Sequence, residues 1–299
     1  MDIKRNIKYI VVDLDGTLLN DDHVVSDKNK EAIQKAIAQG VKVIIATGKT
    51  RASAESIIAA LNLDTPGVFV QGLMVYNADG TVRQEHKLEP DVARHAIQFA
   101  ETQGFEVIAY SGNRLVCKRL DENIEAIAKF GEPMPEEIGS LINQVNTVKM
   151  HKLIVVGGNK RKLKALRWQL EQQIGGKVSF TDGGVLTSLE ILPKGASKGQ
   201  GVKALLRQLA AKPENVMGIG DAENDVEMLQ AVGFGVAVKN AAEKTKAVAA
   251  EVVSSNNDNG VAEAIERFVL VDEPKTEASA ATTEPAAKET ESTSESTDE

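Results

Sequence analysis

The stretch VVDLDGTLLN, residues 11–20, constrains the fold more than any other part of the chain. The apolar run from Tyr9 to Val12 reads as a buried strand, because short β-branched runs closed by polar punctuation suit a parallel sheet covered on both faces. Asp13 and Asp15 follow with Leu14 between them, so period-2 alternation points both acids the same way at the strand's carboxyl end. Gly16 permits a sharp turn there and Thr17 adds a hydroxyl. Open α/β sheets place ligands outside the carboxyl ends of their strands, and paired acids in that position suit a hard cation and a covalent phosphoryl acceptor. The plainer reading is an acidic strand-to-turn junction in which Asp and Gly only form the turn.

The same alternation continues on both flanks of the chain. Ser26 caps an expected helix over residues 27–39, a second buried-type strand covers 41–46, and a helix follows over 51–61. A short strand is expected over 68–70, then a hairpin of 73–76 and 81–87 turning at Ala78-Asp79-Gly80. Late in the chain, helices over 197–211, 226–231, 241–250 and 261–268 alternate with strands over 216–219 and 234–238. The middle differs. It offers helices over 91–103, 122–130 and 160–173, an irregular piece with Pro133 and Pro135, and strands over 105–109, 115–119, 152–156, 178–181 and 186–191. Ser111-Gly112-Asn113 and Asp182-Gly183-Gly184 read as its hairpin turns. The predicted fold class is therefore α/β: a Rossmann-like parallel sheet with helices on both faces, formed by residues 1–83 and 193–271, with an inserted α+β domain over 84–192.

Charge is unevenly placed. The chain carries a net −8, and residues 272–299 hold nine acids against two lysines, which leaves the body close to −1. A body that neutral argues against a nucleic-acid surface built on bulk positive charge. The last 28 residues, rich in Ala, Thr, Ser and Glu, are too poor in apolar groups to offset their ordering entropy and read as a disordered acidic tail. Cys117 is the single cysteine, so an intrachain disulfide and a multi-cysteine metal site are excluded; the alternation in RLVCKR fits a strand and makes it a packed or half-exposed structural thiol. No apolar stretch approaches the ~20 residues of a membrane span. A cytoplasmic location is expected, or an organelle stroma if a transit peptide has been removed.

Three further stations fall at strand ends. Thr47 and Gly48 close the second strand, where the amides opening the next helix suit an anion. Gly48-Lys49-Thr50 resembles the end of a Walker A loop, but the required upstream glycine position is Val43, inside a strand, so that reading fails. Lys198 opens a helix, an unfavourable place for a cation unless an anion sits beside it; a solvated surface lysine is the alternative. In GDAEND, Asp221 and Asp225 stand four apart at a strand-to-helix turn with Asn224 able to donate to a phosphate oxygen. Two such carboxylates repel unless a cation joins them, although either alone could serve only the helix N-terminus.

Taken in order, DLDGT, ATGK, the isolated Lys198 and GDAEND resemble the haloacid dehalogenase superfamily, specifically Cof-type phosphatases with a C2B-type cap. The resemblance covers about residues 7–268. It implies Asp13 as nucleophile and Asp15 as general acid/base, with Thr47, Gly48, Lys198 and Asn224 around the transferring phosphoryl group and Asn240 near the substrate. It further implies a Mg²⁺ site formed by Asp13, the main-chain carbonyl of Asp15 and Asp221, with Asp225 acting through water or from behind these ligands. Two positions depart from the family pattern: Lys49 stands where arginine is usual, losing a planar bidentate fork, and Gln71-Gly72 stands where Asn-Gly is common. The function implied is a phosphatase acting on small phosphorylated metabolites such as sugar phosphates or flavin mononucleotide, through an aspartyl phosphate. Alternatives are a phosphotransferase or mutase on the same scaffold, or a non-catalytic binding module; neither a nucleic acid nor a membrane is an expected partner.

Overall fold

The computed structural model describes residues 4–183 and 187–271. Part of one expected hairpin turn (Gly184), the first residue of the strand expected over 186–191 and the acidic tail 272–299 lie outside the described residues. The chain opens with β1 (Tyr9–Val12), α1 (Asp27–Ala38), β2 (Lys42–Ile45), α2 (Arg51–Ala60) and β3 (Gly67–Phe69), then β4 (Met74–Tyr76) and β5 (Val82–Glu85). Its middle holds α3 (Pro90–Thr102), β6 (Glu106–Ser111), β7 (Arg114–Cys117), α4 (Glu122–Glu125), β8 (Glu136–Glu137) and α5 (Leu141–Gln144). These are followed by β9 (Lys152–Val156), α6 (Lys160–Ile174), β10 (Val178–Asp182) and β11 (Ser188–Pro193). The last part runs α7 (Lys198–Gln208), β12 (Val216–Gly220), α8 (Val226–Ala231), β13 (Phe234–Val238), α9 (Glu243–Val248), β14 (Glu251–Val253) and α10 (Gly260–Phe268).

Five strands pair in parallel in the order β14-β13-β12-β1-β2. A parallel bridge between Ala46 and Val68 sets β3 beside the end of β2. The chain thus moves outward from β1 to β2 and β3, and later outward in the other direction from β12 to β13 and β14. Strand order reverses between β1 and β12, which opens a crevice at their carboxyl ends. Register makes this specific: Val12 lies opposite Ile219, and the Asp13 N–H donates to the Ile219 carbonyl at 3.1 Å. Asp13 and Asp221 therefore leave the sheet side by side.

Period-2 alternation divides these near-continuous apolar strands between two helical layers. Ile10, Val12, Val43, Ile45, Met217 and Ile219 pack with α1 and α10, while Val11, Ile44 and Val216 pack with α7 and α8. Each fully buried Val or Ile contributes about 1.5–3 kcal/mol by transfer from water. Ser26 caps α1 as expected, accepting from the Asn29 N–H. Two strands were not anticipated: β8, in the irregular piece with Pro133 and Pro135, and β14. The alanine-rich stretch suggested helix to residue 250, but α9 stops at Val248 and the β-branched pair Val252-Val253 turns β14 into an edge strand on β13. Burial in the sheet outweighs local alanine propensity there.

A second sheet of six strands, β10-β11-β9-β6-β7-β8, is antiparallel except for the short β7–β8 pair. One face buries Val107, Ala109, Val116, Leu153 and Val155 with α3 and α6. The other presents Ile108, Tyr110, Leu115, Cys117 and Ile154 to the cluster that also holds the core residues of the parallel sheet. The helix expected over 122–130 divides into α4 and a 3₁₀ turn, Ala126–Phe130, closed by Gly131 at φ +80°. β5 spans the expected junction between residues 83 and 84 and belongs with β3 and β4 in a small antiparallel sheet. Among the described residues no helix is long and apolar enough to cross a membrane.

Cys117 is fully buried on β7, and burial, reinforced by Glu137 and Asp121, pushes its thiol up to about 11. A thiol that is neither accessible nor ionised should not react. The native protein should therefore resist a disulfide-exchange reagent at pH 8 and label stoichiometrically only in denaturant; rapid labelling of the native state would contradict this packing.

Candidate active site

The crevice between β1 and β12 is built around Lys198. Its side chain is 1% exposed, and its ammonium lies 2.7 Å from Asp13 Oδ1 and 2.7 Å from Asp225 Oδ1. Lys198 is the first residue of α7, so the anions that offset its unfavourable position at a helix N-terminus are two carboxylates from distant strand ends. Burial alone would push this lysine down, but Asp13 and Asp225 together hold it above its ordinary value. Burial pushes the Asp13 carboxyl well up, opposed by Lys198 and reinforced by Asp225 and Asp221. Asp221 is likewise raised, first by burial, and opposed by the hydrogen bond from Thr17.

The turns on either side of this lysine are sterically specified. Asp221 Oδ1 accepts from Thr17 Oγ1 at 2.8 Å. Gly16, between Thr17 and Asp15, has φ +74°, and a Cβ there would lie 2.6 Å from Asp221 Oδ2. No other residue meets both conditions without strain. Asp225 spends its second oxygen on the main chain: Oδ2 accepts from the N–H groups of Asp221 at 3.1 Å and Ala222 at 3.0 Å. Both of its oxygens are thus engaged, which makes it the clamp that shapes the GDAEND turn. Asp13, Asp221 and Asp225 each offer an oxygen within 4.8 Å of one another. Three acids around one lysine leave negative charge in excess, and an all-oxygen donor set of this kind suits a hard divalent cation.

The other expected residues fall into two groups. Thr47 is buried beside the crevice, its Oγ1 accepting from the Lys49 N–H at 3.2 Å, and Gly48 passes so close to Gln71 that a Cβ would lie 2.9 Å from Gln71 Nε2. Asn224 donates to Gln71 Oε1 at 3.1 Å, so Gln71 links the second and fourth stations across the site. Asn240 lies against the turn that follows β1. Its Nδ2 donates to the Gly16 carbonyl at 2.7 Å and its Oδ1 accepts from the Asn256 N–H at 3.0 Å, which braces the turn under Asp15. The amides at the start of α2, expected to await an anion, are not all open either. The Thr50 N–H points at both oxygens of Glu132, at 3.3 Å each.

Four residues of the site were not singled out as contributors from the sequence alone. Lys49 Nζ lies 2.7 Å from Asp15 Oδ1, and His23 Nδ1 stands 3.5 Å from the same oxygen. Gln71 sits in a left-handed run with Val70 and Gly72, at φ +57°, +50° and +86°. A β-branched residue at positive φ is strained. The run is held by N–H donations from Val70 to the Lys49 carbonyl at 2.9 Å and from Gln71 to the Thr47 carbonyl at 3.3 Å. Glu132, 8% exposed, comes from the irregular piece of the insert; only its place between Gly131 and Pro133 marks it in the sequence.

Comparison with known proteins fits this geometry. The haloacid dehalogenase-like hydrolase family matches over residues 10–265. A chloroplastic protein of Arabidopsis thaliana named endoribonuclease YBEY is 37% identical over 279 residues, covering 89% of this chain but 47% of its own length. The chain thus spans about half of that relative. The 5-amino-6-(5-phospho-D-ribitylamino)uracil phosphatase YcsE of Bacillus subtilis is 28% identical, with 89% of this chain and 97% of its own covered. A haloacid dehalogenase-like hydrolase of Bacteroides thetaiotaomicron superposes with a TM-score of 0.80 at 27% identity, covering 87% of this chain and 99% of its own.

The buried charge cluster has a measurable cost. A carboxyl whose folded pKa is raised favours folding below its unfolded value of 3.8 and opposes it increasingly as pH rises through the folded value. Asp13→Asn removes that opposition. In a chelator at pH 7.5 this variant should melt at a higher temperature than the parent, and the gap should close as pH falls toward 4. A variant less stable than the parent at pH 7.5 would show that Lys198 fully compensates Asp13.

Proposed function

The chain belongs to the haloacid dehalogenase-like hydrolases, and on that premise we propose that it hydrolyses small phosphate monoesters through a covalent intermediate on Asp13. The observation that carries this reading is the 2.7 Å contact by which buried Lys198, itself paired with Asp225, holds Asp13 at the carboxyl end of β1. A carboxylate so fixed has its rotamer already chosen, and phosphoryl transfer depends mainly on such positioning and on charge neutralisation.

Asp13 attacks phosphorus, forming an aspartyl phosphate as the ester oxygen departs. Asp15, two residues on and beside the crevice, donates a proton to that leaving oxygen and then takes one from the water that cleaves the acyl phosphate. Lys198 offsets the charge of the phosphoryl oxygens, while Thr47 and Asn224 offer hydrogen bonds to them. Asp13, Asp221 and the Asp15 carbonyl are the groups that would hold a Mg²⁺ ion, with Asp225 holding the turn behind them. Such an ion, when bound, neutralises phosphoryl charge. The substrates we favour carry phosphate at the end of a polyol, as hexose phosphates and flavin mononucleotide do. The phosphoribityl substrate in the name of the Bacillus relative has the same end group.

A panel of sugar, nucleotide and cofactor phosphates assayed with Mg²⁺ tests the class. Asp13→Asn should abolish turnover on every member, because the amide is a poor nucleophile; activity within about tenfold of the parent would falsify the nucleophile. Asp15→Asn should separate esters by leaving group. A sugar alkoxide needs a proton whereas nitrophenolate does not, so kcat/KM should fall roughly tenfold further on a hexose phosphate than on p-nitrophenyl phosphate. Equal losses would remove Asp15 from proton transfer.

A further inference from the structure

Glu132 is a buried carboxylate with no role in the chemistry above, yet four donors converge on it. From α2 come the Thr50 N–H at 3.3 Å, the Thr50 hydroxyl at 2.8 Å and the Ser53 hydroxyl at 2.5 Å. From the insert's sheet comes the Tyr110 hydroxyl at 3.2 Å. Burial and Glu132 itself push the Tyr110 phenol well above its ordinary value, so it stays a donor. Tyr110 is fixed in turn: the Lys152 ammonium lies over its ring at 4.2 Å and pairs with buried Glu190 at 2.9 Å. Glu132 therefore ties the inner face of the insert's sheet to the first turn of the helix that follows Thr47.

The tie ends next to the proposed acid. Gly131, left-handed at φ +80°, brings the loop so near Lys49 that a Cβ there would lie 3.5 Å from Lys49 Nζ. Lys49 is the residue before Thr50, and its ammonium contacts Asp15 at 2.7 Å. One short path of contacts thus leads from the insert through Glu132, Thr50 and Lys49 to Asp15. A flexible lysine holds one geometry only if its stem and backbone are confined, and the Glu132 contacts confine both sides of it.

We propose that Glu132 is a positioning residue for Asp15: by anchoring the 131–133 loop on the start of α2 it confines Lys49, and Lys49 confines the proton-donating carboxylate. This rests on the phosphatase reading. It makes the insert a part of the proton-transfer apparatus as well as a cover for the substrate.

The test is kcat/KM on two esters, a hexose phosphate and p-nitrophenyl phosphate, for Glu132→Gln, Lys49→Met and the double variant. A merely structural residue would depress both esters alike. Glu132→Gln is expected to lose roughly tenfold or more on the hexose phosphate and less than about threefold on the nitrophenyl ester. The double variant should be no worse than Lys49→Met alone, since both substitutions interrupt one path. Should Glu132→Gln not fold, Tyr110→Phe, which leaves the carboxylate in place, is expected to give a smaller loss with the same dependence on leaving group. Equal losses on the two esters, or additive losses in the double variant, overturn the role of Glu132. A parent protein inactive on both esters with Mg²⁺ overturns the phosphatase reading instead.

Discussion

The buried ammonium of Lys198 is the interaction on which the rest of the site depends. From the start of α7 it joins the end of β1 to the GDAEND turn, segments 185 and 27 residues away from it in sequence. Burying a carboxylate without a partner costs several kcal/mol, so removing Lys198, the cation that Asp13 and Asp225 share, should destabilise by about 3–5 kcal/mol. With Asp13, Asp221 and Asp225 gathered at one crevice, the parallel sheet can close its two central strands only if that lysine arrives between them. The same requirement places the proposed nucleophile in one rotamer and leaves excess negative charge beside it. Structure and proposed chemistry are in that sense one electrostatic solution, in which stability is given up at Asp13 for reactivity there.

Close backbone approach supplies the second constraint. A Cβ on Gly72 would lie 2.1 Å from the Ser197 carbonyl, and one on Gly220 would lie 2.6 Å from the Asp225 side chain. These contacts press the left-handed Val70-Gln71-Gly72 run against the residue that precedes Lys198. The strained run is tied in turn to the carbonyls of Thr47 and Lys49. The second and third stations are thus braced through main chain, and the fourth is joined to the second by the Gln71 and Asn224 side chains, which suits a site that must hold its geometry during the proposed phosphoryl transfer.

Much of this was legible in the sequence because it is local. Apolar runs ending in acids mark β1 and β12, and the alternation of elements marks the parallel sheet and the separate character of the middle. What was not legible depends on partners distant in the chain. Lys49 appeared only as a departure from a family pattern, and its contact with Asp15 exists because β1 and β2 are neighbours. Gln71 needed the left-handed run, which no glycine at positions 70 or 71 announces. Glu132 lay in a stretch without periodicity, where burial is decided by the fold alone. Asn240 follows a strand end as expected, but its amide is turned to main-chain groups by the approach of Gly16 and Asn256. β14 was hidden by alanine-rich sequence whose helical propensity yields to pairing at the sheet edge.

The central claim is that Asp13, held by Lys198, accepts the phosphoryl group. Its most direct test is to quench the enzyme during turnover with Mg²⁺ and a hexose phosphate, reduce with borohydride, and sequence the digest by mass spectrometry. An aspartyl phosphate is reduced to homoserine, so the account predicts homoserine at position 13 in the parent and none in Asp13→Asn. Homoserine at position 15, or phosphate retained on another residue during active turnover, would contradict it.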